Sequence, residues 1–75
     1  MPKLPQIKPR DVERVLLKLR FSARTTKSAH VVFTHQDGRR TVISGHNEPV
    51  RRGTLRAILR QIDITLEEFL GLLRK

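Results

Sequence analysis

The chain contains no cysteine, so disulfides and thiolate metal sites are excluded. It has no tryptophan or tyrosine and only three phenylalanines. With those three needed for a core, too few aromatics remain for a surface that stacks single-stranded bases. Carboxylates are scarce as well, with seven Asp and Glu against sixteen Lys and Arg. No apolar run approaches the ~18–20 residues that span a bilayer, so no membrane partner is expected. The opening Met-Pro-Lys-Leu-Pro-Gln lacks the apolar segment of a secretory signal, which makes a cytoplasmic setting the expectation. The three histidines, His30, His35 and His46, lack the i, i+4 helical spacing of a zinc pair. Neither a metal nor another cofactor is expected.

What remains is small and basic. Seventy-five residues suffice for one domain, taken as residues 1–75. A chain of that length buries only ~60% of its unfolded surface and so has a thin core. The formal net charge is +9, and it is unevenly spread. Between Arg20 and Arg60 the only carboxylates are Asp37 and Glu48, set among nine Lys and Arg. Clustered cations of this kind are the footprint of phosphate neutralisation, with nucleic acid first among polyanions. A solvated surface or an acidic protein partner would use the same residues.

Apolar periodicity places the elements. Val12, Val15, Leu16 and Leu19 recur at i, i+3, i+4, i+7 behind Pro9, which predicts a helix over about 9–19. Residues 21–26 read as a weak strand and 29–34 as a better one. Phe33 is the natural core anchor, so Val31 and Phe33 point inward. His30, Val32 and Thr34 then point outward by alternation, and Val32 has no evident reason to be there. Gln36-Asp37-Gly38 closes a hairpin onto a return strand over 39–44, with Gly38 free to take positive φ. Leu55, Ile58, Leu59 and Ile62 mark a second helix, from 51 or 52 to 62, flanked by a stripe of Arg52, Arg56 and Arg60. Gly53 near its start leaves room for a backbone or phosphate to approach. Thr65 and Glu68 form a capping box for a short third helix to about residue 73, with Leu66, Phe69, Leu70 and Leu73 apolar. The expected class is α+β: a three-stranded antiparallel sheet with helices on one face and the other face open.

For chemistry the open face matters most. An RNA strand carries its own nucleophile, the 2′-hydroxyl. Its activation requires a base near neutral pKa and cations around the phosphate, and histidine is the side chain whose unperturbed pKa of ~6.5 suits the first task. His30 is therefore a candidate general base or acid, and equally a plain surface histidine. Arg24, Lys27, Arg39 and Arg40 are candidate phosphate holders, and Arg52, Arg56 and Arg60 candidate backbone contacts of the kind shape-reading RNA binders use. His46 and Ser28 are accessory candidates, whereas His35 reads as a hairpin-end residue. A DNA-binding regulator fits less well, because the second helix commits its apolar face to the core and leaves no free recognition helix.

Taken in order, these segments resemble a known family. The chain offers Lys-Leu-Pro, a helix ending in Leu-Arg-Phe, a strand Lys-x-x-His-Val-Val-Phe, then His-x-Asp-Gly-Arg-Arg, a loop carrying His46, Gly-Thr-Leu-Arg-x-Ile-Leu-Arg-Gln and Thr-x-Glu-Glu-Phe. In that order and spacing it resembles the HicA toxins of bacterial type II toxin–antitoxin systems, over nearly its whole length. The resemblance implies a double-stranded-RNA-binding-like α-β-β-β-α(-α) fold. It implies an mRNA endoribonuclease that blocks translation and is neutralised by a HicB-type antitoxin, and it places the functional histidine at His30. Where the family usually has Gly-Ser before that histidine, this chain has Ser28-Ala29. Where it has glycine before the phenylalanine after the first helix, this chain has Arg20. Where it often has proline at the end of the third strand, this chain has Ser44. The non-catalytic alternative is a basic RNA-binding module of the same fold.

Overall fold

The computed structural model describes residues 6–26, 30–44 and 49–74. Three helices and three strands follow one another as α1 (Pro9–Lys18), β1 (Ser22–Thr25), β2 (His30–Thr34), β3 (Arg40–Ser44), α2 (Arg52–Ile62) and α3 (Leu66–Arg74). The strands form one antiparallel sheet in the order β1-β2-β3, and α1 and α2 both pack on β3 while α3 packs on α1. This is the α+β arrangement expected, an open sheet with its helices on one face.

Each element ends for a local reason. At the start of α1 the Asp11 carboxylate accepts the Lys8 backbone N–H at 2.9 Å, and Pro9 at the first helical position forfeits no hydrogen bond. The helix stops one residue before the predicted end, in a Schellman turn: Phe21 N–H reaches Leu16 O and Arg20 N–H reaches Leu17 O, both at 3.0 Å. That turn holds Arg20 at φ 71°, a left-handed conformation that glycine adopts freely and arginine does not. The hairpin closes through Gly38 N–H to His35 O and His35 N–H to Arg39 O, each 2.9 Å, with Gly38 at φ 98°. Because Arg39 completes this turn, β3 begins at Arg40 rather than at Arg39. Asp63 ends α2 in the left-handed region at φ 57°. Thr65 and Glu68 exchange side-chain-to-backbone hydrogen bonds of 3.1 Å in each direction, the capping box read from the sequence.

The core lies between β3 with the inner side of β2 and the helices. Val12, Val15 and Leu16 of α1, all four apolar residues of the α2 stripe, Phe69 of α3, and Phe21, Phe33 and Ile43 are buried. Burying side chains of this size contributes roughly 1.5–3 kcal/mol each. The lead-in also supplies Ile7, a core residue with no periodic pattern to announce it; its carbonyl accepts the Val50 N–H. Thr41 is buried too, its hydroxyl 2.6 Å from Gln61 Oε1 of α2. β1 lies beyond the helices, and all four of its residues are exposed. Val31 points inward but is only half-buried for the same reason. Among the described residues, no helix is long and apolar enough to cross a membrane.

Candidate nucleic-acid interface

Register fixes which side chains share the uncovered face of the sheet. His30 pairs with Ser44, Val32 with Val42 and Thr34 with Arg40; on the other side Val32 pairs with Arg24 and Thr34 with Ser22. Successive side chains alternate, so these residues lie on the face opposite Phe33 and Ile43. His30 is exposed there, as its alternation with Val31 and Phe33 predicts. Thr26 closes the β1 side, its backbone N–H and its hydroxyl both reaching His30 O, at 3.0 and 3.1 Å. The backbone of the histidine is thus held from a neighbouring strand.

Among the described residues, the pattern around His30 supplies hydroxyls and one near cation. Ser44 stands directly across from it, and Arg24 and Val42 are its diagonal neighbours, at a separation of roughly 7–8 Å. Arg40 sits at the far end of the same face, four residues along the strand direction, or ~13 Å. Val32, unexplained by alternation, lies between Arg24 and Val42 and forms an apolar pair with the latter.

The other candidates divide among different places. Arg39 is adjacent to Arg40 in sequence but turns to the helix side. Its Nε donates to Asp37 Oδ2 at 2.7 Å, one terminal nitrogen donates to the Ile62 carbonyl at the end of α2, and its guanidinium lies 5.2 Å from the Phe21 ring centre. Asp37 also accepts the Arg39 backbone N–H at 3.0 Å. That backbone donor outweighs desolvation and, with the Arg39 guanidinium and His35 adding to it, holds the Asp37 carboxyl below its ordinary value. His35 packs edge-on against Phe21 with ring centres 5.0 Å apart, and its Nδ1 lies 3.1 Å from the Asp37 N–H and 3.0 Å from Asp37 Oδ1. It is a hairpin-end residue, as its position before the turn indicates. Arg52, Arg56 and Arg60 are exposed along α2, in the helix layer and not beside His30. Gly53 is open, and a Cβ built there meets nothing within 4 Å. Lys27, Ser28 and His46 lie outside the described residues.

All three phenylalanines are buried, at 3%, 1% and 0% exposure for Phe21, Phe33 and Phe69, so none is available to stack a base. Among the described residues there is no group of three His, Cys, Asp or Glu side chains that could hold a metal ion. Val42, 45% exposed, follows from the β2–β3 register and is not singled out by the sequence; Arg20, which stands where the resembled family has glycine, takes the left-handed conformation that glycine adopts freely.

No curated protein matches the chain. The family model for the HicA toxin of bacterial toxin–antitoxin systems matches residues 9–64, a span that runs from the first residue of α1 through the whole sheet and α2. That match covers more than half of the sequence and includes the strand bearing His30, the hairpin and the arginine-striped helix; the chain belongs to the HicA toxin family.

Proposed function

We propose that the chain is an mRNA endoribonuclease that inhibits translation in the cytoplasm and is neutralised by a HicB-type antitoxin. The observation that carries this reading is the placement of His30. It is exposed on a sheet face that no helix covers, its backbone held by Thr26, with Ser44 across from it and Arg24 diagonal to it.

The chemistry follows from what RNA brings. His30 accepts the proton of the 2′-hydroxyl, and the 2′-oxygen attacks the adjacent phosphorus. The bond to the 5′-oxygen breaks, and that oxygen takes a proton from water, leaving a 2′,3′-cyclic phosphate and a 5′-hydroxyl. Because the nucleophile belongs to the substrate, no metal-bound water is needed to supply one. Arg24 and Lys27 stabilise charge building on the phosphate oxygens, and Arg40 holds the strand further along. Arg39 acts from behind by fixing the hairpin on which Arg40 sits. Arg52, Arg56 and Arg60 contact the backbone of a structured RNA from the helix layer. Ser28 and His46 remain accessory candidates.

The test is cleavage of RNA by the purified chain with EDTA present, beside a His30→Ala variant. We expect cleavage by the native chain only, with RNA bound equally by both. Cleavage by both would remove His30 from the chemistry. Binding without cleavage by either would make the protein an RNA-binding module, with Ser28-Ala29 the first place to look for the lost activity.

A further inference from the structure

β3 is an edge strand, and the side of α2 beside it differs from the side bearing the arginines. The backbone pattern can be followed from two bonds. His35 N–H bonds Arg39 O, and Thr26 N–H bonds His30 O. Alternation therefore directs His30, Val32 and Thr34 toward β1 and Val31 and Phe33 toward β3. The residues of β3 left over, Arg40, Val42 and Ser44, turn their N–H and C=O groups away from the sheet. Among the described residues, Val42 is also one of the two large apolar side chains that stand exposed.

Helical periodicity sorts the surface of α2. Its buried quarter is Leu55, Ile58, Leu59 and Ile62. On the Leu59 side of that quarter come Arg52, Arg56 and Arg60; on the Ile58 side come Thr54, Ala57 and Gln61, neutral and mostly small. The neutral side is the one facing the β3 edge. Two hollows run in line there, one between Val42 or Ser44 and Thr54 or Ile58, the next between Arg40 or Val42 and Gln61. Arg40 borders one end and Arg51 the other, and among the described residues no carboxylate lines either hollow.

We infer that the β3 edge receives an extended strand of the antitoxin, with small or apolar side chains facing α2 and carboxylates at its two ends. The inference rests on the family membership and deepens its partner. A strand here would pair with the outward groups of Arg40, Val42 and Ser44, continue the sheet, and lay alternate side chains on the neutral flank of α2. RNA is a poor occupant, because the cations of this helix are on its other flank. A second copy is a poor one too. Antiparallel self-pairing centred on Val42 sets Arg40 of one copy opposite Ser44 of the other, next to Arg51, and it joins two chains of charge +9. Carboxylates on an antitoxin strand reverse both objections.

Val42→Pro is a selective probe. It deletes an outward N–H and none that bonds β2, and proline is tolerated on an edge strand whose N–H faces out. The chain is purified with and without a HicB-type antitoxin, and backbone amide exchange is compared. We expect protection of Arg40, Val42 and Ser44 in the complex. Val42→Pro should weaken the complex at least about tenfold, Arg51→Glu should weaken it in a salt-dependent manner, and Val42→Thr, which keeps the N–H, should bind as the native chain does. Should Val42→Pro fail to fold by circular dichroism, the exchange pattern and Arg51→Glu decide. A complex that forms without protection at these amides, or that tolerates both substitutions, overturns the edge proposal alone. Failure of the native chain to bind the antitoxin strikes the family partner and the edge together.

Discussion

Arg39 and Arg40 are consecutive, carry the same charge and face opposite sides of the sheet, so they can be separated by experiment. Arg39→Ala removes a charged donor from the Ile62 carbonyl, an ion pair with Asp37 and a guanidinium over Phe21. A hydrogen bond from a charged group to a part-buried acceptor is worth roughly 1.5–3 kcal/mol. The ion pair involves a carboxylate that is 46% exposed, so solvent screening leaves it little weight, and the ring contact contributes about 0.5–1 kcal/mol. These share one side chain and do not add in full; a loss of about 2–3 kcal/mol is expected. For a domain of this size that lowers Tm by about 10–20 °C. Arg40 is exposed on the open sheet face, and its replacement by alanine should stay within about 0.5 kcal/mol of native stability. RNA affinity, however, should fall, and the slope of log affinity against log salt should become shallower by about 0.7, the loss of one phosphate contact. Thermal denaturation and RNA titration over a series of salt concentrations read the two effects separately. Equal loss of Tm in both variants, or an unchanged salt slope for Arg40→Ala, would refute the division of labour.

Two further substitutions probe the ends of elements. Arg20 occupies the left-handed position of a Schellman turn at φ 71°, so Arg20→Gly should stabilise the chain by about 0.5–1 kcal/mol after allowing for the greater freedom of glycine in the unfolded state; an unchanged or lower denaturant midpoint would contradict the assigned turn. The Asp37 carboxyl is held below its ordinary value in the folded chain by the Arg39 backbone N–H, so its contribution is present above the ordinary carboxylate range and is lost as pH falls through the lowered value. Asp37→Asn should accordingly be less stable than the native chain at pH 7, with the gap closing as pH falls through the lowered value, and a gap independent of pH would show that the charge plays no part.

The sequence by itself determined the elements and their order. Periodicity is local information: Val12 to Leu16, Leu55 to Ile62 and the alternation through His30 and Phe33 need only the geometry of a helix or a strand to be read. The same holds for Gly38 in the hairpin and for Thr65 with Glu68, where every partner lies within three or four residues. His30 on the outer face followed from Phe33 on the inner one. What tertiary structure decided concerns partners distant in sequence. That Arg39 caps a helix ending 23 residues later while Arg40 faces solvent depends on where α2 lands. The burial of Ile7 depends on a backbone hydrogen bond to Val50, and that of Thr41 on Gln61. Val42 is exposed because β3 is an edge, and strand order is a property of the folded sheet. Arg20 is marked in the sequence as standing in place of a glycine, but that its backbone is left-handed follows only from the turn that buries Phe21. Hydrophobic spacing states which face of an element is buried; only assembly states what lies against it, and which charges remain to meet a partner.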